Sequence, residues 1–201
     1  MNYIVYRSLK TICNPIFKLL YRPQIVGLDN IPKNGAVILA GNHTNNMDAF
    51  IMLSGPKRIV HMMAKKELFN TKFKNWFFRS MACISVDRSI HDEAAKKEAI
   101  DVLRNGNVLG IFPEGTVNKT NDILLPFKFG AVSFAMKTDA YIVPFSITGK
   151  YKIFKKGLRI TYDKPYKVKY DLVKENNILM KKIEKLIKEN NYEKEWRLSL
   201  V

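Results

Sequence analysis

Short, unbroken apolar runs alternate along this chain with segments whose apolar residues return every three or four positions. The first pattern suits a strand covered on both faces, the second a helix that buries one stripe. Residues 36–40, Ala-Val-Ile-Leu-Ala, are the strongest strand signal. Weaker ones follow at 59–60 and 84–86, and a further run at 107–112 is entered through the turn Asn105-Gly106-Asn107. Residues 141–148, 158–162 and 166–170 complete the set. Between them, residues 90–104 read as a helix opened by a Ser89/Asp92 capping box, with Ala95, Ala99, Val102 and Leu103 on one face; residues 127–138 also read as helical. Such alternation predicts an α/β fold: a single domain with a mostly parallel or mixed central sheet flanked by helices.

The two ends differ from this centre. Residues 1–22 mix Ile, Leu, Phe and Tyr with Arg7, Lys10 and Lys18 at helical spacing, the pattern of a helix lying in a membrane interface. Pro15 is expected to split it in two. Residues 172–190 form another helix, with Leu179, Ile183, Leu186 and Ile187 on one stripe and lysines largely opposite. The chain therefore divides into an amphipathic membrane-associating segment (1–22), a central domain (23–170) and a C-terminal amphipathic helix and tail (171–201). No window supplies the roughly 20 apolar residues that a membrane-spanning helix needs.

Charge narrows the partners. Lys and Arg number 34 against 18 Asp and Glu, a net charge of +16. Anionic partners follow: nucleic acid, an acidic membrane surface or phosphorylated small molecules. Cys13 and Cys83 stand far apart without metal-type spacing, so neither a disulfide framework nor a thiolate site is indicated, and a reducing compartment is the default.

Chemistry-bearing residues gather after the strands. His43 and Asp48 follow the first strong strand. A turn at Asn45-Asn46 would let the Asp48 carboxylate reach back to the imidazole, and a His so oriented can take a proton from a hydroxyl near neutral pH. The plain alternatives are a helix-capping Asp48 and a structural His43. Glu114, Gly115 and Thr116 end another strand, where ligand sites of α/β sheets collect. Glu114 could accept hydrogen bonds from a substrate; the plain alternative is a turn. Arg88 follows a short strand and could fork a phosphate. Pro144 inside a strand predicts an edge or a bulge. His61 and His91 stand in unrelated contexts and suggest no metal site.

In order, the chain carries His43-x-x-x-x-Asp48, Val86-Asp87-Arg88, Phe112-Pro113-Glu114-Gly115-Thr116, Pro126-Phe127-Lys128-x-Gly130-Ala131 and Val143-Pro144. From about residue 23 to 170 this resembles the 1-acyl-sn-glycerol-3-phosphate acyltransferase family of lysophospholipid and glycerolipid acyltransferases. The resemblance implies transfer of a fatty acyl group from acyl-CoA or acyl-carrier protein to a lysophospholipid hydroxyl, most simply lysophosphatidic acid, giving phosphatidic acid in phospholipid biosynthesis. It implies His43 as general base, Asp48 as its orienting partner, and head-group contacts from Arg88, Glu114, Gly115 and Thr116. Pro144 falls on the acyl-donor side. No metal or cofactor is implied beyond the donor thioester, and the expected setting is the cytoplasmic face of a membrane, peripheral or monotopic. Two positions depart from the pattern: Val117 where Arg is common, and Cys83 where Gly is usual.

Two rival readings remain in view. A nucleic-acid module would use Trp76, Phe77 and Phe78 beside Lys72, Lys74 and Arg79 as a stacking platform, but it leaves the ordered motifs unexplained. A non-catalytic lipid-binding relative is motivated by Val117, which equally motivates acylation of a different lyso-acceptor within the main reading.

Overall fold

In the computed structural model every residue of β2 (Val37–Gly41) is buried, as an unbroken apolar run in water requires. The structure describes residues 3–169 and 171–199, with side chains through residue 191. Tyr170, the expected end of the last strand and of the central domain, lies outside the described residues. So do Met1, Asn2, Leu200 and Val201 of the expected terminal segments.

A mixed seven-stranded sheet forms the middle layer, in the order β1-β7-β6-β2-β5-β3-β4. Its strands are β1 (Gln24–Val26), β2, β3 (Val60–Lys65), β4 (Cys83–Val86), β5 (Val108–Ile111), β6 (Tyr141–Thr148) and β7 (Arg159–Tyr162). Only β6 and β7 pair antiparallel; the other ladders are parallel. Alternate residues of the central strands feed two cores. Val37, Leu39, Val108 and Val143 pack toward α1 (Ile4–Tyr21) and α2 (Asp48–Ser54). Ile38, Ala40, Leu109 and Ile142 pack toward α4 (Glu93–Arg104), α5 (Gly130–Thr138) and α6 (Leu172–Ser199). The remaining helix, α3 (Lys72–Ser80), lies beside the edge strand β4. The stripes expected for α4 and α6 are buried: Ala99 and Leu103 in one, Leu179 and Ile183 in the other.

Several details differ from the sequence expectation. Pro15 does not split the first helix, which runs unbroken from Ile4 to Tyr21. Its two halves are docked on the same support. Tyr6 and Phe17 are both buried, Tyr6 Oη accepts from the Val60 amide, and Asn14 reaches the Ser54 carbonyl. Tertiary contacts on both sides of the proline offset the lost hydrogen bond. Pro144 marks neither edge nor bulge but sits buried inside β6, paired with Ala40. Its carbonyl accepts from the Asp163 amide, one residue beyond the end of β7. A residue's N and C=O point to the same side of a strand, so the proline omits only the return bond of this last pair of the β6–β7 ladder. Asp92, not Ser89, caps α4, accepting from the Ala95 amide, while Ser89 bonds Asp87. Tyr166 contributes an isolated bridge to Ile142 where a strand was expected. The three-residue β1 and the helix α3 carried no pattern that foretold them.

The ladder between β2 and β6 is extended by a side chain. Asn42 Nδ2 donates to the Ile147 carbonyl at 2.9 Å, and the Ile147 amide donates back to Asn42 Oδ1 at 2.7 Å. This buried exchange fixes the point where the chain leaves β2 toward His43. Asn42→Ala leaves a backbone donor and acceptor unsatisfied in the interior, at about 1–3 kcal/mol. Thermal unfolding should therefore shift down by roughly 3–10 °C. An unchanged melting temperature would show that the exchange contributes nothing.

Candidate active site

β2 and β5 are parallel neighbours, so the segments that leave their carboxyl ends lie side by side. The first carries His43 and the second Glu114. His43 is partly buried, with a side-chain exposure of 16%. Its ring lies flat on Phe112, centroids 4.1 Å apart and planes 13° apart. Phe112 meets Phe145 edge-on at 6.0 Å. Phe145 in turn occupies the space a side chain at Gly41 would need, since a Cβ there would fall 2.2 Å from the ring. Gly41 is therefore a requirement of the platform on which the imidazole rests.

Asp48 is completely buried, and its carboxylate is saturated by donors. Oδ2 receives His43 Nδ1 at 3.0 Å and the backbone amides of Thr44 and Asn45 at 2.6 and 2.7 Å. Oδ1 receives the Tyr151 hydroxyl at 2.6 Å. The expected reach-back from the start of α2 is thus present, across a turn at residues 45–47. The carboxylate accepts amides behind it and not those of the helix ahead, so a capping role does not describe it. An ionised carboxylate only accepts, so Nδ1 carries its proton and Nε2 keeps a lone pair. Among the described residues no hydrogen-bond partner occupies Nε2.

Tyr151 is a member of this cluster that sequence reasoning missed. Burial, with Asp48 beside it, pushes its phenol well above the ordinary value, so it stays a donor. Its ring also meets Tyr21 at the end of α1 edge-on at 5.8 Å. The contact spans 103 positions of sequence, and no local pattern marks the residue.

Glu114, expected as a substrate contact, bonds two backbone amides. It is buried, and each oxygen takes one peptide N–H: His43 N on Oε1 at 2.7 Å and Leu125 N on Oε2 at 2.8 Å. Burial pushes its carboxyl above the ordinary value, while those two N–H groups pull the other way. The His43 carbonyl is held as well, by the Asn118 amide at 2.6 Å. The backbone of His43 is thus clamped on both sides by the loop that follows β5. Gly115 adopts φ +70°, a conformation that side chains disfavour, and the stem of Lys128 lies against it. Thr116 is exposed beside it.

The remaining expected residues lie further out. Arg88 is exposed just beyond β4, and partial burial lowers its guanidinium from the ordinary value. β4 is three strands from β2, which is about 14 Å at the usual strand spacing. The structure thus gathers His43, Asp48 and Glu114 into one cluster and leaves Arg88 at the same end of the sheet, three strands away. Pro144 is inside the neighbouring strand. Cys83 is held in an apolar setting, where burial pushes its thiol up to about 12 and disfavours the thiolate, the nucleophilic form. Among the described residues no group of three or more His, Cys, Asp or Glu is arranged to hold a metal ion.

Comparison with known proteins gives these features a context. The family model described as Acyltransferase matches residues 22–148. The 1-acyl-sn-glycerol-3-phosphate acyltransferase of Borreliella burgdorferi is 37% identical over 136 residues, 67% of this chain and 54% of that protein. The Bacillus subtilis protein of the same name is 31% identical over 158 residues, covering 76% and 77%. That of Saccharomyces cerevisiae is 31% identical over 148 residues, covering 68% and 48%. The chain thus spans about half the length of two of these relatives. The crystal structure of the 1-acyl-sn-glycerophosphate acyltransferase PlsC from Thermotoga maritima superposes with a TM-score of 0.74 at 23% identity, covering 92% of this chain and 78% of that one. The fold is shared.

The Glu114 clamp can be tested without a substrate. An amide nitrogen cannot accept, so Glu114→Gln sets a donor against either the His43 or the Leu125 N–H. A charge-assisted bond contributes about 1.5–3 kcal/mol, so one of these two amides should exchange its hydrogen roughly 10- to 100-fold faster in Glu114→Gln. Equal protection in both proteins would remove the clamp.

Proposed function

The chain belongs to the Acyltransferase family, and on that premise we propose that it acylates a lysophospholipid, most simply 1-acyl-glycerol-3-phosphate, to give phosphatidic acid. The observation that carries this reading is the His43–Asp48 pair at the carboxyl end of β2, inside the matched region, with Nε2 left open. The named activities of the relatives support it.

The geometry suits a direct transfer. Nε2 accepts the proton of the acceptor hydroxyl as its oxygen attacks the thioester carbon. The new C–O bond forms, the oxyanion collapses, the C–S bond breaks, and the leaving thiolate takes the proton back from His43. A positioned base of this kind contributes about 10²–10⁴ in rate. Asp48 and Tyr151 hold the ring in the tautomer that the step needs, and Glu114 holds its backbone. Neither cysteine is required for a covalent intermediate, and no cofactor enters beyond the donor, acyl-CoA or acyl-carrier protein.

The acceptor's phosphate is assigned to Arg88, Gly115 and Thr116, with Lys128 beside Gly115 in place of the arginine that Val117 lacks. Glu114 supports this loop from behind. Pro144, on the strand next to β2, lies on the acyl-donor side. The central domain is assigned to residues 23–170, with residues 171–201 as a helix and tail.

Residues 1–22 are assigned to the membrane surface, on its cytoplasmic face. α1 docks through Tyr6, Lys10, Asn14 and Phe17, while Ile4, Ile12, Ile16 and Leu19 are 51–68% exposed on the opposite side. A helix that keeps aliphatic residues exposed, with Arg7 and Lys18 exposed as well, suits an interfacial position. Among the described residues no helix is long and apolar enough to cross a membrane.

Two sets of variants test the reading. His43→Ala should abolish acyl transfer with the fold intact. Asp48→Asn should lose more turnover than Tyr151→Phe, which removes a single bond to an ionised carboxylate. The Tyr151→Phe loss should be roughly tenfold in kcat with little change in KM. Mass spectrometry of products with acyl-CoA and acyl-carrier donors measures this, and normal turnover by His43→Ala would sink the mechanism.

Val117→Arg supplies the planar cation that the family commonly places there. It should lower KM for lysophosphatidic acid about tenfold and leave uncharged acceptors unaffected. Low-micromolar saturation by the parent chain, unchanged in Val117→Arg, would mean that another cation already fills the phosphate site.

A further inference from the structure

The chain leaves β3 at the same end of the sheet as His43, Glu114 and Arg88, makes a 3-10 turn (Lys66–Phe69), and enters α3. None of the nine residues of α3 is buried, yet Phe73, Trp76, Phe77 and Phe78 are among them. Phe73 is 70% exposed, Trp76 55% and Leu68, just before the helix, 43%. Phe73 and Trp76 are ring neighbours at 6.0 Å, and Phe77 lies 6.4 Å from Phe73. The i, i+3, i+4 spacing of these three puts them on one face.

The opposite side of the helix is fastened to the domain. Arg79 Nη1 donates to both carboxylate oxygens of Glu98 of α4, at 2.6 and 2.8 Å, and the guanidinium lies over the Phe69 ring, which itself packs on Phe78 at 5.4 Å. Thr71 caps the amino end by accepting from the Lys74 amide. The aromatic face is therefore held outward by contacts behind it. A surface patch of this composition marks an interaction site. Its chemistry selects the partner. Residues 65–80 contain Lys65, Lys66, Lys72, Lys74 and Arg79 against the single acid Glu67. A chain of net charge +16 repels a second copy of itself at such a surface. Tryptophan and phenylalanine rimmed by lysine suit the boundary between anionic head groups and acyl chains.

We infer that the Phe73–Trp76–Phe77 face of α3 is a second bilayer contact, separate from α1, which seats the His43 end of the sheet on an anionic lipid surface. The inference rests on the membrane partner proposed above and adds a place on the fold. Two contacts on different elements fix an orientation, which one helix cannot, and their attachment multiplies.

The test uses the full chain. It has two tryptophans, so Trp196→Phe makes Trp76 the sole reporter. With vesicles of phosphatidylglycerol and phosphatidylcholine carrying brominated acyl chains, Trp76 emission should shift to the blue and be quenched. Phe73→Ser combined with Trp76→Ser should weaken co-sedimentation with those vesicles at least about tenfold, with an unchanged circular dichroism spectrum. Binding of the parent chain with neither shift nor quenching of Trp76 overturns the α3 contact and leaves the membrane reading standing on α1. Failure of the parent chain to bind overturns both. Emission that responds to a single-stranded oligonucleotide and not to vesicles assigns the face to nucleic acid and overturns the inference.

Discussion

A completely buried carboxylate, that of Asp48, sets the terms for this site. A charge taken out of water costs several kcal/mol unless donors replace its hydration. Four donors do so here: two backbone amides, the His43 ring and the Tyr151 hydroxyl. Satisfying Asp48 folds the turn between β2 and α2, sets the tautomer of the imidazole, and draws in the loop after β6. The same contacts that keep the charge soluble in the interior give His43 its chemistry.

A second buried carboxylate divides the labour. Asp48 orients the ring of His43, while Glu114 holds its backbone amide and ties it to Leu125. Both acids act on one residue, from segments that follow β2 and β5, strands that the parallel sheet makes neighbours. The aromatic stack Phe145–Phe112–His43 completes the support from below. Together these contacts hold the imidazole in one orientation.

The outer surface follows a different logic. α1 and α3 both leave apolar side chains in water and both keep cations nearby. Tyr21, at the end of α1, touches Tyr151, which bonds Asp48. The proposed bilayer-facing helix and the His43 cluster are thus two contacts apart.

The sequence by itself determined the alternation of strands and helices, the buried runs of β2, β5 and β6, the stripes of α4 and α6, and the pairing of His43 with Asp48. These rest on short-range periodicity or on a turn of a few residues, so local order carries them. β1 was invisible because three residues become a strand only when β7 offers its edge. Pro15 inside α1 and Pro144 inside β6 were misjudged because proline's local penalty was weighed without the docking of Tyr6 and Phe17, or the place of Pro144 in the last pair of the β6–β7 ladder. Glu114 was legible as a candidate position, but its two backbone partners lie 71 and 11 positions away. Tyr151 lies further still from Asp48. Only the tertiary structure could decide such partners, because a buried charge takes whatever donors packing brings to it, and packing is indifferent to distance along the chain.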